Sequence, residues 1–377
     1  LWGSELDTQR LREISNKVFK DFVTRRPARI LRGDTPTFMQ LPRAKKPADL
    51  KDANVAFLGI PYEGVKSYSP EIIYPPEAGD APSEAIYFRT GVAEAPEWVR
   101  KWSVQHSILH YDGKGYFVER DINLTDYLTM VDYGDVECLA GDTMTSLGRA
   151  KAKIEEIVAA GAIPLVIGGD HSVPIPALLA IGAATDKKIG IIGFDTHFDL
   201  MGLGDAEGDE RWNPAAQYTT ALELPNFEPE NSVLIGMKGV RKPRLAAEFA
   251  RELGITYFTM RDIDEQGIAG VVREAVKMAT TGADYLYVTL DIDVMDSTMC
   301  PGTRFPDTPG LTPREIIHAL RIIGNHSVIS GFDISCLSPR YDPGGSTPYL
   351  AARCYLEIMA SLAVHFRDRG INKWFTT

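Results

Sequence analysis

Eight short apolar runs restrict the fold of this chain more than any other feature. NVAFLGI, YLTMVDYGDV, AIPLVIGG, KIGIIGFD, SVLIGM, ITYFTM, YLYVTLDID and SVISGFDI are rich in Val, Ile, Leu and Phe. A strand with one wet face alternates apolar with polar; a near-continuous apolar run is buried on both faces, as in a parallel sheet. Between the runs lie stretches of helical period: TSLGRAKAKIEEIVAAG, PIPALLAIGAA, PRLAAEFARELG, IAGVVREAVKMATTG and PREIIHALRIIG. Several close on Gly, as helix C-termini do. The alternation predicts an α/β chain: a single doubly wound domain whose parallel β-sheet is sandwiched by helices.

That domain is expected over residues 53–377, behind an N-terminal extension, residues 1–52. The extension reads as an amphipathic helix, LWGSELDTQRLREISNKVF, and an arm, RRPARILRGDTPTFMQLPRAKKP, expected at a subunit contact or against its own domain. The helix has no signal-peptide pattern, and the lack of an initial Met leaves N-terminal processing open. A Tyr- and Pro-rich excursion over 61–126 is long enough to be functional. The net charge of -11 argues against nucleic acid or an anionic membrane as partner and suits, weakly, a cationic small-molecule substrate. No apolar run is long enough to span a membrane. Cys138, Cys300, Cys336 and Cys354 are far apart with no CxxC, the pattern of a reducing cytoplasm.

In open α/β sheets ligands bind at the carboxyl ends of the strands. Here LVIGGDHS ends in Asp170 and His171, GIIGFDTHFDL carries Asp195, His197 and Asp199, and LYVTLDIDVMD carries Asp291, Asp293 and Asp296. The every-second-residue spacing in FDTHFDL predicts one face of a strand. Any one of these stretches alone is as well read as a turn or a helix cap. Together they bring carboxylates and imidazoles to the same sheet edge, where they repel and lose hydration unless cations lie between them. A mixed carboxylate–imidazole set suits Mn, Fe, Co, Ni or Zn. Its size exceeds the needs of one ion and fits a bridged pair, an arrangement that makes hydroxide from water near neutral pH.

GGDHS, FDTHFD and LDIDVMDSTMCPGT resemble the signature segments of the ureohydrolase family, which includes arginase, agmatinase, guanidinobutyrase and guanidine hydrolase. MVDYGDV and GFDISCLSPRYDPGGSTPYLAAR extend the resemblance over most of the chain. It implies an arginase-like three-layer αβα fold and two divalent ions per chain, Mn2+ or Ni2+. His171, Asp195, Asp199 and Asp291 would surround one ion, and Asp195, His197, Asp291 and Asp293 the other. It further implies that hydroxide held between the ions attacks a guanidinium carbon, releasing ammonia or an amine and urea or a urea derivative. Asp199 and Asp195 are the implied catalytic residues, Asp199 stabilising the reacting group or carrying a proton. Asp170 is expected to orient His171 or simply to shape the turn. A homo-oligomer, trimer or hexamer, is also implied, or a hetero-oligomer with a paralogue.

The chain departs from the family pattern where substrate is recognised. Cys336 stands where a Glu clamps the guanidinium, and a thiol cannot form that bidentate charged pair. Trp212 and Asn213 occupy the region of a usual His-Gly, and Arg304 and Phe305 enter a loop that is otherwise Gly-rich. Loop drift would account for each change singly. Taken together they point to a small guanidine, an alkylguanidine or a biguanide such as metformin, closest to the guanidine-hydrolase-like branch. Trp212, Phe305, Tyr68 and Tyr74 would offer aromatic faces to a cation, and Glu77, Asp80 or Glu84 a replacement carboxylate. The alternatives are a tailed substrate, as in agmatinase, guanidinobutyrase or arginase, with Arg304 holding a carboxylate tail, and a helper subunit of a hetero-oligomer.

Overall fold

The computed structural model describes residues 13–15, 17–18, 35–64, 89–108, 112–200, 212–240 and 244–375. Glu77, Tyr68, Tyr74, Asp80 and Glu84, expected near substrate, lie outside them. The strands are β1 (Val55–Ile60), β2 (Tyr116–Phe117), β3 (Ile122–Asn123), β4 (Met130–Asp135), β5 (Ile163–Gly168), β6 (Ile189–Phe194), β7 (Phe227–Met237), β8 (Thr256–Thr259), β9 (Tyr285–Asp291) and β10 (Ile329–Ser335). The helices are α1 (Ala95–Ser103), α2 (Thr143–Ala159), α3 (Pro174–Ala183), α4 (Gln217–Ala221), α5 (Arg244–Leu253), α6 (Met260–Thr280), α7 (Pro313–His326) and α8 (Ser346–Arg369).

Eight strands form one sheet in the order β4-β1-β5-β10-β9-β6-β7-β8, and every neighbouring pair is parallel. Each contains one of the eight apolar runs. Successive residues of a strand serve opposite faces: Phe57 and Leu165 join a core with α6, α7 and α8, while Leu58 and Val166 join a second core with α2 and α3. This is the expected three-layer α/β sandwich. The short pair β2–β3 is antiparallel and lies outside the main sheet.

Local chemistry sets the helix starts. Asp142 caps α2 by accepting the Thr145 N–H at 2.9 Å, and Thr312 with Glu315 forms a reciprocal cap on α7. The helix pattern beginning at Ile268 proves to be the second part of α6. A first turn from Met260, capped by Thr259 and Asp262, precedes a break at Gly267 with φ 73°. Its residues, MRDIDEQG, lack the apolar period that would reveal a helix.

Residues 35–52 of the N-terminal extension lie against their own domain. Phe38 stacks on Phe57 with centroids 3.9 Å apart, and its N–H donates to Asp132 at 2.7 Å. Ala44 donates to Asp132 O, and Asp132 N donates to Pro42 O, each at 2.9 Å. The segment thereby pairs with β4, an edge strand whose open backbone groups would otherwise invite another chain.

Candidate metal centre

The four central strands, β5-β10-β9-β6, end side by side, and their carboxyl ends carry the site. From β5 comes His171, from β6 Asp195, His197 and Asp199, and from β9 Asp291 and Asp293. His171 Nδ1 lies 2.8 Å from Asp199 Oδ2, 3.1 Å from Asp195 Oδ2 and 3.2 Å from Asp291 Oδ2. His197 Nδ1 lies 3.1 Å from Asp293 Oδ2 and 3.3 Å from Asp195 Oδ1. Two triads follow, His171–Asp195–Asp291 and Asp195–His197–Asp293, with ligand atoms within 4.8 Å of one another and Asp195 common to both. All six expected ligands converge.

The spacing in FDTHFDL does not have the expected cause. β6 ends at Phe194, so Asp195, His197 and Asp199 lie in a loop rather than on a strand face. The Asp195 carboxylate accepts the N–H of His197, two residues on, at 2.6 Å. The same turn recurs twice: Asp170 Oδ1 accepts Ser172 N–H at 3.1 Å, and Asp291 Oδ1 accepts Asp293 N–H at 2.9 Å. Asp side chains favour such turns. In Asp195 and Asp291 the turn occupies Oδ1 and leaves Oδ2 directed at His171. Asp199 follows in the left-handed region, φ 46°.

Electrostatics argue for cations. Two carboxylates about 4.8 Å apart repel by roughly 3–4 kcal/mol at a protein-like dielectric, and here several are buried together. Burial opposes protonation of His171, but Asp291, Asp195 and Asp199 outweigh it and hold its pKa well above the usual value. His197 is raised likewise, burial being overcome by Asp293 and Asp195. Burial, followed by like charge, raises Asp195 and Asp291. Asp195 Oδ2 and Asp293 Oδ2 are buried and, among the described residues, accept no hydrogen bond of good geometry. A mixed N/O donor set that must otherwise retain protons, with lone pairs left open toward its middle, fits two divalent ions.

Other candidates separate. Asp170 ties loops together: its carboxylate accepts the Gly64 N–H at 2.8 Å and the Ser172 hydroxyl, fixing the loop after β1. Asp296 holds another loop, accepting from Thr298 N at 3.0 Å, Thr308 Oγ1 at 2.8 Å and Gly310 N at 3.0 Å. A further bond from the Thr298 hydroxyl, the largest cause, together with these pulls its pKa down to about 2. Trp212 packs at the margin of the α2–α3 core, and Asn213 Oδ1 accepts the Ala215 N–H at 2.9 Å.

Cys336 follows β10, between the ends of β5 and β9. Its N–H donates to Gly169 O at 2.8 Å, its carbonyl accepts Arg304 N–H at 2.9 Å, and its φ is 61°. A non-glycine residue in that region is strained, a mark of functional positions. Burial, then the charges of Asp291 and Asp293, push the thiol pKa well up, so it is a neutral S–H beside the centre. The Arg304 side chain is buried, 4.0 Å from Asp170. Its guanidinium lies 5.3 Å from the Phe305 ring, whose edge-to-face contact with His197 spans 5.5 Å. One face of Phe305 is therefore already taken by a cation of the protein itself.

One residue at the centre carried no sequence signal. Gln217, on α4, donates from Nε2 to Asp199 Oδ2 at 3.0 Å and lies 3.2 Å from His171 Nδ1. A neutral amide is not a usual metal-ligand type, and nothing in NPAAQYTTAL distinguishes it from a core-facing polar residue.

Residues 79–361 match the model of the Arginase family. Guanidinopropionase from Pseudomonas aeruginosa is 30% identical over 329 residues, covering 87% of this chain and 92% of that protein. Agmatinase from Escherichia coli is 27% identical over 322 residues, covering 85% of this chain and 91% of that protein. The solved structure of proclavaminate amidino hydrolase from Streptomyces clavuligerus superposes with a TM-score of 0.72 at 26% identity, over 88% of this chain and 98% of that one.

Proposed function

The chain belongs to the arginase family, metal-dependent hydrolases of C–N bonds in linear amidines, and within it we propose that it acts on a small guanidine-type compound: guanidine, an alkylguanidine or a biguanide such as metformin. The observation that carries this is an intact double triad beside a recognition position that has lost its carboxylate. Cys336 supplies no charged pair to a planar cation, and buried Arg304 adds a positive charge nearby.

When bound, divalent ions supply the charge that lowers the pKa of water enough to attack a guanidinium carbon at neutral pH. His171, Asp195, Asp199 and Asp291 would hold one, and Asp195, His197, Asp291 and Asp293 the other. Asp199, at the exit of β6, would take a proton and return it to the departing nitrogen. Loop packing around Gly169, where a Cβ would sit 1.6 Å from Tyr62 O, keeps His171 tight against the end of β5. The metals proposed are Mn2+ or Ni2+, the compartment a reducing cytoplasm, and the assembly a homo-oligomer. A solved Trypanosoma cruzi formiminoglutamase carries Mn2+.

A second reading is favoured by Arg304: a guanidino acid whose carboxylate pairs with that buried guanidinium, in keeping with the likeness to guanidinopropionase. The test loads the protein with Mn2+ or Ni2+ and measures urea and amine from guanidine, methylguanidine, metformin, guanidinopropionate and agmatine, with His171→Ala as control. Turnover highest on the untailed compounds is expected. A higher kcat/KM on guanidinopropionate that Arg304→Met abolishes supports the second reading, and turnover of none above the control refutes both.

A further inference from the structure

We propose that Gln217 is a positioning residue of the metal centre, holding Asp199 and bracing His171 so that both present their lone pairs to the ion on the β5 side. The inference rests on the metal centre alone and is independent of which amidine is hydrolysed. Gln217 is completely buried at the start of α4. Its Nε2 donates to Asp199 Oδ2 at 3.0 Å and lies 3.2 and 3.4 Å from the two nitrogens of His171. Near-equal distances to both ring nitrogens place the amide beside the ring, not along one lone pair. The imidazole is thus buttressed while the nitrogen facing Asp195, Asp199 and Asp291 stays available.

Asp199 has particular need of such a hold. It lies beyond the end of β6 with left-handed φ, away from the ladder that fixes Asp195, whose N–H still donates to Ile235 O at 3.0 Å. A carboxylate only accepts hydrogen bonds, so contact with Asp199 fixes the amide orientation and turns Oε1 away from Asp199. That oxygen is buried and accepts no hydrogen bond among the described residues. A side chain retained for packing alone would not leave an amide oxygen so placed, since Met fills the same space without it. The arrangement is that of a group kept for its donor. Partners that orient metal ligands in this way typically change metal affinity about 10- to 100-fold when removed.

The experiment titrates full-length, metal-stripped protein with Mn2+ by calorimetry. Wild type is expected to take two ions. Gln217→Met should weaken one ion at least about tenfold, leaving the other ion and the metal-free melting temperature near wild type. Because Gln217 acts in part through Asp199, the losses should be less than additive: Asp199→Asn with Gln217→Met should bind more tightly than the two single losses summed would give. Both ions binding as in wild type, both weakening equally, or additive losses would overturn the proposal. Should Gln217→Met fail to fold, Gln217→Asn keeps the amide but shortens its reach. Selective loss of one ion then supports the proposal, and wild-type affinity overturns it.

Discussion

Asp333 allows a quantitative test of how the protein treats charge beneath the metal centre. It lies in β10, flanked by the strands that supply the ligands, and is fully buried. Tyr287 OH donates to it at 2.7 Å and Thr289 Oγ1 at 3.0 Å. Burial nonetheless dominates and lifts its pKa from 3.8 to about 7, against those hydroxyls and His171, which favour the charged form. Because the folded-state pKa is raised, the stabilising contribution is complete below pH 3.8 and is lost as pH rises toward about 7. At 1.36 kcal/mol per unit the full loss is roughly 4 kcal/mol. Replacing Asp333 with Asn removes the ionisation, so the variant should gain on wild type by about 1.4 kcal/mol per pH unit between pH 5 and 7. Urea unfolding of both metal-free proteins across that range measures it. Parallel stability-versus-pH curves would refute the claim that Asp333 is held neutral by burial.

Three further outcomes follow from the same geometry. Asp195→Ala, which removes the carboxylate common to both triads, should abolish stoichiometric binding of both ions and reduce turnover by about a thousandfold or more, read by elemental analysis and urea release. Because His171, His197, Asp195 and Asp291 all have raised pKa values, adding Mn2+ to the metal-free protein should release protons, and affinity should fall as pH drops; unbuffered pH-stat titration that records no release would contradict this. Arg100 donates to Asp132 at 2.8 and 3.1 Å and to Asp135 at 2.6 Å, so Arg100→Met should cost about 3–5 kcal/mol by leaving Asp132 buried without its cation, with metal stoichiometry unchanged.

The eight strands were legible because a parallel sheet covered on both faces imposes a burial signature that needs no tertiary information. The six residues that converge at the candidate metal centre were legible for a related reason: groups of that chemistry, brought to one edge by the fold, call for a cation. Conformation beyond the strand ends was less visible. Asp195, His197 and Asp199 share a site through Asp turns and a left-handed residue, although their spacing imitates a strand. Gln217, which reaches Asp199 and His171 from α4, passed unnoticed because an amide does not advertise a place among metal ligands. The packing of Arg304 against Phe305 likewise left no mark in the sequence. In each case an aperiodic loop decided the outcome, and loop geometry leaves no repeating pattern to read.

The sheet order separates the chemistry of this enzyme from its taste. β10 lends no ligand to either triad, yet its last residues emerge between two strands that do. If position 336 reads the substrate, as proposed, exchanging it would retune which molecule is accepted while the hydrolytic apparatus next door is inherited intact. A scaffold wired this way would diversify by editing a single strand terminus.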